Sequence, residues 1–145
     1  MRRAVITGLG IVSCLGNDRA SVTQSLKNGI SGIHRREDFF DMGLRCNVGG
    51  RIDLDPKDHI DRKTLRFMGD SAAYGYIATD RAIADAGLSE EMISDLRTGL
   101  IMGSGGLSGE MFVEAVDVMR ERGIKRAGPY RVTQIMASTV SACIA

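Results

Sequence analysis

Ala4-Val5-Ile6-Thr7-Gly8-Leu9-Gly10-Ile11-Val12-Ser13 opens the chain and sets the class of its fold. The first four residues suit a buried strand, and Gly8 and Gly10 then turn the backbone. A short helix follows, capped by Asn17 or Asp18 and stopped at Gly29. The same order recurs further on. Thr98 to Met102 reads as a second buried strand, Gly103-Ser104-Gly105-Gly106 as a turn, and Gly109 to Arg122 as a helix ending at Gly123. Strands that alternate with helices predict an α/β fold with a mainly parallel sheet and packed helices, because parallel neighbours need a crossover between them.

Between these units lies the strongest helical signal. Leu65, Met68, Ala72, Tyr76, Ile83 and Ala86 recur at helical spacing before Gly87 supplies a stop. Gly69, Ala73, Gly75, Ala78 and Ala82 add a small-residue surface suited to close packing. Ser89-Glu90-Glu91 starts another short helix. From Ile30 to Asp58 the periodicity is poor, with short strands expected around Gly49-Gly50 within Arg45 to Leu54. Val132 to Ala145 is apolar and small, and it stops without a cap, a glycine or a polar run, as a chain cut within an element would.

The length of 145 residues fits one domain with a real core, and 43% hydrophobic with 26% charged residues is a soluble globular composition. A formal charge of +1 gives no bulk attraction to nucleic acid. Cys14, Cys46 and Cys143 lack C-x-x-C spacing and cannot all pair, which favours a reducing, cytoplasmic setting. Met1-Arg2-Arg3 before an apolar run imitates a secretory leader, but the run is short and broken by Gly8 and Gly10. No stretch approaches the length of a membrane span.

Each candidate motif has a plain structural reading beside the functional one. Gly8-Leu9-Gly10 half matches a dinucleotide fingerprint, yet Ser13 stands where the third glycine belongs, so a tight turn is the better reading. Gly103-Ser104-Gly105-Gly106 lacks the lysine and hydroxyl of a P-loop and reads as a place of close backbone approach, to another helix or to a ligand chain. Cys143 lies among small residues but has no histidine near in sequence to activate it, and is read as a packed, inert thiol. His34 and His59 lack metal-ligand spacing. Arg62, Lys63 and Arg66 share a helix face near the start of the long helix, where cations oppose the dipole; a solvated face and an anionic partner are evenly matched. Arg120, Arg122, Lys125 and Arg126 sit near a helix C-terminus, where the dipole favours them.

Arg3-Ala4-Val5-Ile6-Thr7-Gly8-Leu9-Gly10-Ile11-Val12-Ser13 resembles the start of type I β-ketoacyl-acyl carrier protein synthases. Ile60-Asp61-Arg62-Lys63, Arg66-Phe67-Met68, Ala82-Ile83-Ala84-Asp85-Ala86-Gly87-Leu88, Gly103-Ser104-Gly105-Gly106, Gly128-Pro129-Tyr130, Met136-Ala137-Ser138 and Ser141-Ala142-Cys143 are similar to the same family in the same order. The resemblance implies a thiolase-like fold, with residues 1–145 as its incomplete N-terminal half, truncated before the catalytic residues. It implies decarboxylative condensation of an acyl thioester with malonyl-acyl carrier protein, a homodimer, and no cofactor or metal. The family's nucleophilic cysteine and two histidines would lie beyond Ala145, so no catalytic residue is assigned and the chain alone is expected to be inactive. Arg62, Lys63, Arg66, Arg122 and Lys125 match positions that dock the acidic acyl carrier protein. Gly106 and Met136 match positions lining the acyl pocket, Met136 reaching it across the dimer interface. The rival readings are a noncatalytic partner or carrier-binding module, and a dinucleotide-binding oxidoreductase.

Overall fold

The computed structural model describes residues 3–145; Met1 and Arg2, the head of the leader-like stretch, lie outside the described residues. The chain runs without regular structure to Val12, and Ser13 and Gly16 then exchange two backbone hydrogen bonds of 3.1 and 3.3 Å. Helix α1 (Arg19–Lys27) starts on Asp18, whose carboxylate accepts from the Ser21 N–H at 2.9 Å. It ends at Asn28, ahead of Gly29 with φ +63°. Strands β1 (Ile33–Arg35) and β2 (Val48–Gly50) form an antiparallel ladder, His34 opposite Gly49, and the short helix α2 (Glu37–Asp41) lies in the loop between them.

A 3₁₀ turn (Pro56–Asp58) leads to α3 (Arg62–Leu65) and α4 (Asp70–Ala86). The expected long helix is thus two helices. Met68 dips into the core between them, and Gly69 lets the backbone pass where a Cβ would sit 2.6 Å from the Gln134 carbonyl oxygen. Gly87, at φ +64°, caps α4 in the left-handed conformation. The chain continues through α5 (Glu90–Ile93), α6 (Gly109–Arg122), a 3₁₀ turn (Ile124–Arg126), α7 (Arg131–Ile135) and α8 (Thr139–Ile144). The Ser89 hydroxyl caps α5, and Gly123 ends α6, both as the sequence predicts.

The core is small-residue packing around α4. Ile60, Met68, Ala72, Ala73, Ile77 and Val140 are buried together, with Val12, Leu54, Leu65, Tyr76, Met102, Cys143 and Ile144 packed on them. Helix α8 reaches α4 because Gly75 has no Cβ; one would lie 2.9 Å from Val140 Cγ1. The opening glycines work in the same way. A Cβ on Gly8 would overlap the Ala82 carbonyl oxygen, and one on Gly10 the Ala78 carbonyl oxygen, so residues 8–10 lie directly on the backbone of α4.

The sheet corrects the expectation. Among the described residues the paired strands are antiparallel, not mainly parallel, and neither Ala4–Thr7 nor Thr98–Met102 belongs to a ladder. A strand is defined by a neighbour's N–H and C=O groups, and these segments have no such neighbour among the described residues. Val5, Ile6 and Ile101 are accordingly 74%, 90% and 96% exposed, although their sequence suits a buried strand.

Candidate functional site

The side chains with the clearest functional geometry gather at α3. Asp61 ends the preceding loop, and its Oδ1 accepts from the backbone N–H of Lys63 at 2.8 Å and of Thr64 at 3.2 Å. Hydrogen bonding from the Thr64 side chain, then from these N–H groups, holds the Asp61 carboxyl below the usual aspartate range. Asp61 is thereby used as a helix cap. Arg62 and Lys63 open α3 and Arg66 closes it, all three exposed. The cluster was expected at the unfavourable end of a long helix; it stands instead on its own four-residue helix, and α4 begins only at Asp70.

Charge balance separates these cations from the others. The ion pairs of the described residues are Arg19–Asp85 at 3.3 Å, Arg35–Glu37 at 2.9 Å, Arg36–Asp38 at 2.5 Å and Arg131–Glu114 at 2.6 Å. None of them includes Arg62, Lys63, Arg66, Arg122 or Lys125. A cavity of about 360 Å³ opens beside the cluster, lined by Lys57, Ile60, Arg62, Leu65 and Arg66. Cations therefore rim an apolar floor made by Ile60 and Leu65. Such a surface attracts an acidic partner and offers it a place to bury an apolar side chain.

Arg122 is the last residue of α6 and Lys125 lies in the 3₁₀ turn after it, both exposed. Gly106 and Met136 are brought to one junction, because Ser108, just past Gly106, donates its N–H to the carbonyl of Ile135 at 3.0 Å. Met136 is half exposed there. A Cβ at Gly103, Gly105 or Gly106 would meet no atom within 4 Å, so the close approach expected of this turn is not made by the described residues. Open space faces it instead.

The remaining motifs are occupied structurally. The Leu9 N–H, which a dinucleotide site would offer to phosphate, is taken by Asp85 Oδ2 at 3.0 Å; the expected tight turn does not form, and α4 fills the space over the two glycines. Cys143 packs against the core, and burial pushes its thiol pKa up, away from the thiolate a nucleophile needs. His34 stands exposed in β1 and His59 exposed after the first 3₁₀ turn. The described residues hold no group of three or more His, Cys, Asp or Glu side chains able to bind a metal, and none of their helices is long and apolar enough to cross a membrane.

Several contributors were not visible in the sequence. Lys57 joins the rim from a stretch with poor periodicity. Phe67 and Tyr130 flank the Arg66 guanidinium, whose carbon lies 5.0 and 5.1 Å from the two ring centroids. The Gln134 side-chain amide donates to the Arg66 carbonyl at 3.0 Å. Tyr130 and Gln134 are more than sixty residues from Arg66, and only an aromatic residue in a glycine-proline turn, Gly128-Pro129-Tyr130, hinted at a special position.

Residues 1–145 match the family described as "Beta-ketoacyl synthase, N-terminal domain". The chain is 52% identical over 146 residues to 3-oxoacyl-[acyl-carrier-protein] synthase 1 of Haemophilus influenzae, and 51% identical over 147 residues to that of Escherichia coli. In both cases it covers all of this chain and 36% of the relative, so the chain spans about a third of their length. A β-ketoacyl synthase crystal structure from Burkholderia phymatum superposes with a TM-score of 0.83 at 30% identity, covering 99% of this chain and 36% of the other. A ketosynthase solved with its type II polyketide acyl carrier protein shares the fold, with a TM-score of 0.71 at 20% identity over 97% of this chain and 37% of that one. The expected thiolase-like condensing-enzyme class stands, and over its whole length the chain belongs to the β-ketoacyl synthase family, in the part that forms the N-terminal domain.

Proposed function

We propose that residues 1–145 are the N-terminal part of a fatty-acid condensing enzyme, and that their share of its work is to dock acyl carrier protein and border the acyl pocket. The observation that carries this reading is the exposed cation cluster of Arg62, Lys63 and Arg66, without carboxylate partners among the described residues, of which Arg62 and Arg66 border an apolar slot. Arg122 and Lys125 extend the docking surface, and Gly106 and Met136 border the pocket at the open glycine turn. Two relatives are named 3-oxoacyl-[acyl-carrier-protein] synthase 1, and one structural neighbour was solved with a carrier protein, which supports the same partner here.

In this reading the complete protein performs a decarboxylative condensation. Malonyl thioester loses carbon dioxide, and the resulting carbanion attacks the carbonyl of an acyl thioester, whose C–S bond breaks to release the thiol, so that the chain is extended by two carbons. The nucleophile and its two histidines lie outside residues 1–145, consistent with the raised thiol pKa of Cys143. The working protein is a cytoplasmic homodimer. Free Cys14, Cys46 and Cys143 support the compartment, and the exposed Leu107, Phe112, Val113, Val132 and Met136 around α6 and α7 support a second copy as cover.

The test is steady-state condensation by the full natural protein, with Arg62→Glu, Lys63→Glu and Arg66→Glu combined. KM for carrier-linked substrates rises by about tenfold or more at low salt, while kcat with carrier-free thioesters is kept. An unchanged KM contradicts the docking assignment. Carrier binding without any condensation by the unmutated protein would establish the noncatalytic alternative.

A further inference from the structure

Arginine side chains stack on aromatic rings at three places, and one differs from the rest. Arg35 lies 5.1 Å from the Phe40 ring and Arg36 4.7 Å from the Phe39 ring, but these two arginines are also neutralised, by Glu37 and Asp38. Arg66 lies against two rings at once, Phe67 at 5.0 Å and Tyr130 at 5.1 Å, and has no carboxylate partner among the described residues. The two rings brace each other edge to face, with centroids 5.1 Å apart and planes at 88°.

The backbone beneath this group is tied as well. The Arg66 carbonyl accepts from Gln134 Nε2 at 3.0 Å, and the Tyr130 carbonyl accepts from the Gln134 N–H at 3.0 Å. One glutamine thus fixes the arginine to the segment that carries the ring. A free surface arginine loses much rotamer freedom when it binds, whereas a guanidinium already held by two ring faces loses less and keeps its outward N–H donors. Among the described residues neither Arg62 nor Lys63 lies against a ring.

We infer that Tyr130, with Phe67, is a positioning residue that holds the Arg66 guanidinium in place for an acidic partner, making Arg66 the anchor of its cluster. This rests on the docking reading above and specifies which side chains make it effective.

A double-mutant cycle in the full natural protein tests it, reading acyl carrier protein affinity at low salt. Tyr130→Leu should weaken binding roughly two- to fivefold, the range of an exposed cation–π contact. Tyr130→Phe, which keeps the ring, should restore it. In an Arg66→Ala background Tyr130→Leu should cause no further loss. If Tyr130→Leu weakens both backgrounds equally, or does nothing where Arg66→Ala weakens binding, the positioning role is overturned while docking stands. If neither Arg66→Ala nor the triple charge reversal changes affinity, the docking reading has failed and the positioning role falls with it.

Discussion

Gly10 shows how a single residue can be misread from pattern alone. In sequence, Gly8-Leu9-Gly10 invites a phosphate; in the structure the same glycines let an extended segment lie on the backbone of α4, with Asp85 receiving the Leu9 N–H. No turn forms there: Gly8 and Gly10 lie in a segment without regular structure and without positive φ, and they are needed because the missing Cβ faces a helix that begins some sixty residues later. Gly10→Ala would place a methyl group against Ala78 and Ala82, whose backbone belongs to a helix and cannot yield cheaply. We expect a loss of about 1–3 kcal/mol from overpacking, seen as a lowered Tm of the full natural protein. An unchanged Tm would mean that the segment and α4 are not in contact.

At the scale of elements, α6 and α7 are joined by Arg131, which makes a bidentate contact with Glu114 at 2.8 and 2.6 Å and reaches Gln134 Oε1 at 3.3 Å. The hydrogen bonds from Arg131 hold the Glu114 carboxyl below the usual glutamate range and raise the Arg131 pKa. A carboxyl depressed in the folded state adds stability that is full above its ordinary pKa and disappears as pH falls through the lower, folded value. The pair is partly exposed, at 23% and 48% of the side chains, so its worth at neutral pH is about 0.5–1 kcal/mol. Glu114→Gln should therefore lower the denaturation midpoint at pH 7, with the difference closing in the acid range below the usual glutamate pKa. A difference that stays constant with pH would mean that the pair is not ionised in the way described.

Over the whole molecule, what could be read in advance follows from which forces are local. Caps and stops were legible: Asp18, Ser89, Gly87 and Gly123 act on their own backbone within a turn. The split at Met68-Gly69 was not, since it depends on where the Gln134 carbonyl lies. Nor was the fate of the two apolar strand candidates, because a parallel ladder needs neighbours distant in sequence and the described residues supply none. The site divides in the same way. The basic residues of α3 were legible as a cluster, but their lack of carboxylate partners among the described residues, the apolar floor beside Arg62 and Arg66 and the aromatic brace on Arg66 are tertiary facts. We propose, at this scale, that the α3 surface receives an acidic protein. Equilibrium binding of acyl carrier protein to the full natural protein, followed from low to high salt, decides this. Binding should weaken steeply with salt and should fall by about tenfold or more at low salt when Arg62, Lys63 and Arg66 are all changed to glutamate. Binding that ignores salt and survives that reversal would contradict it.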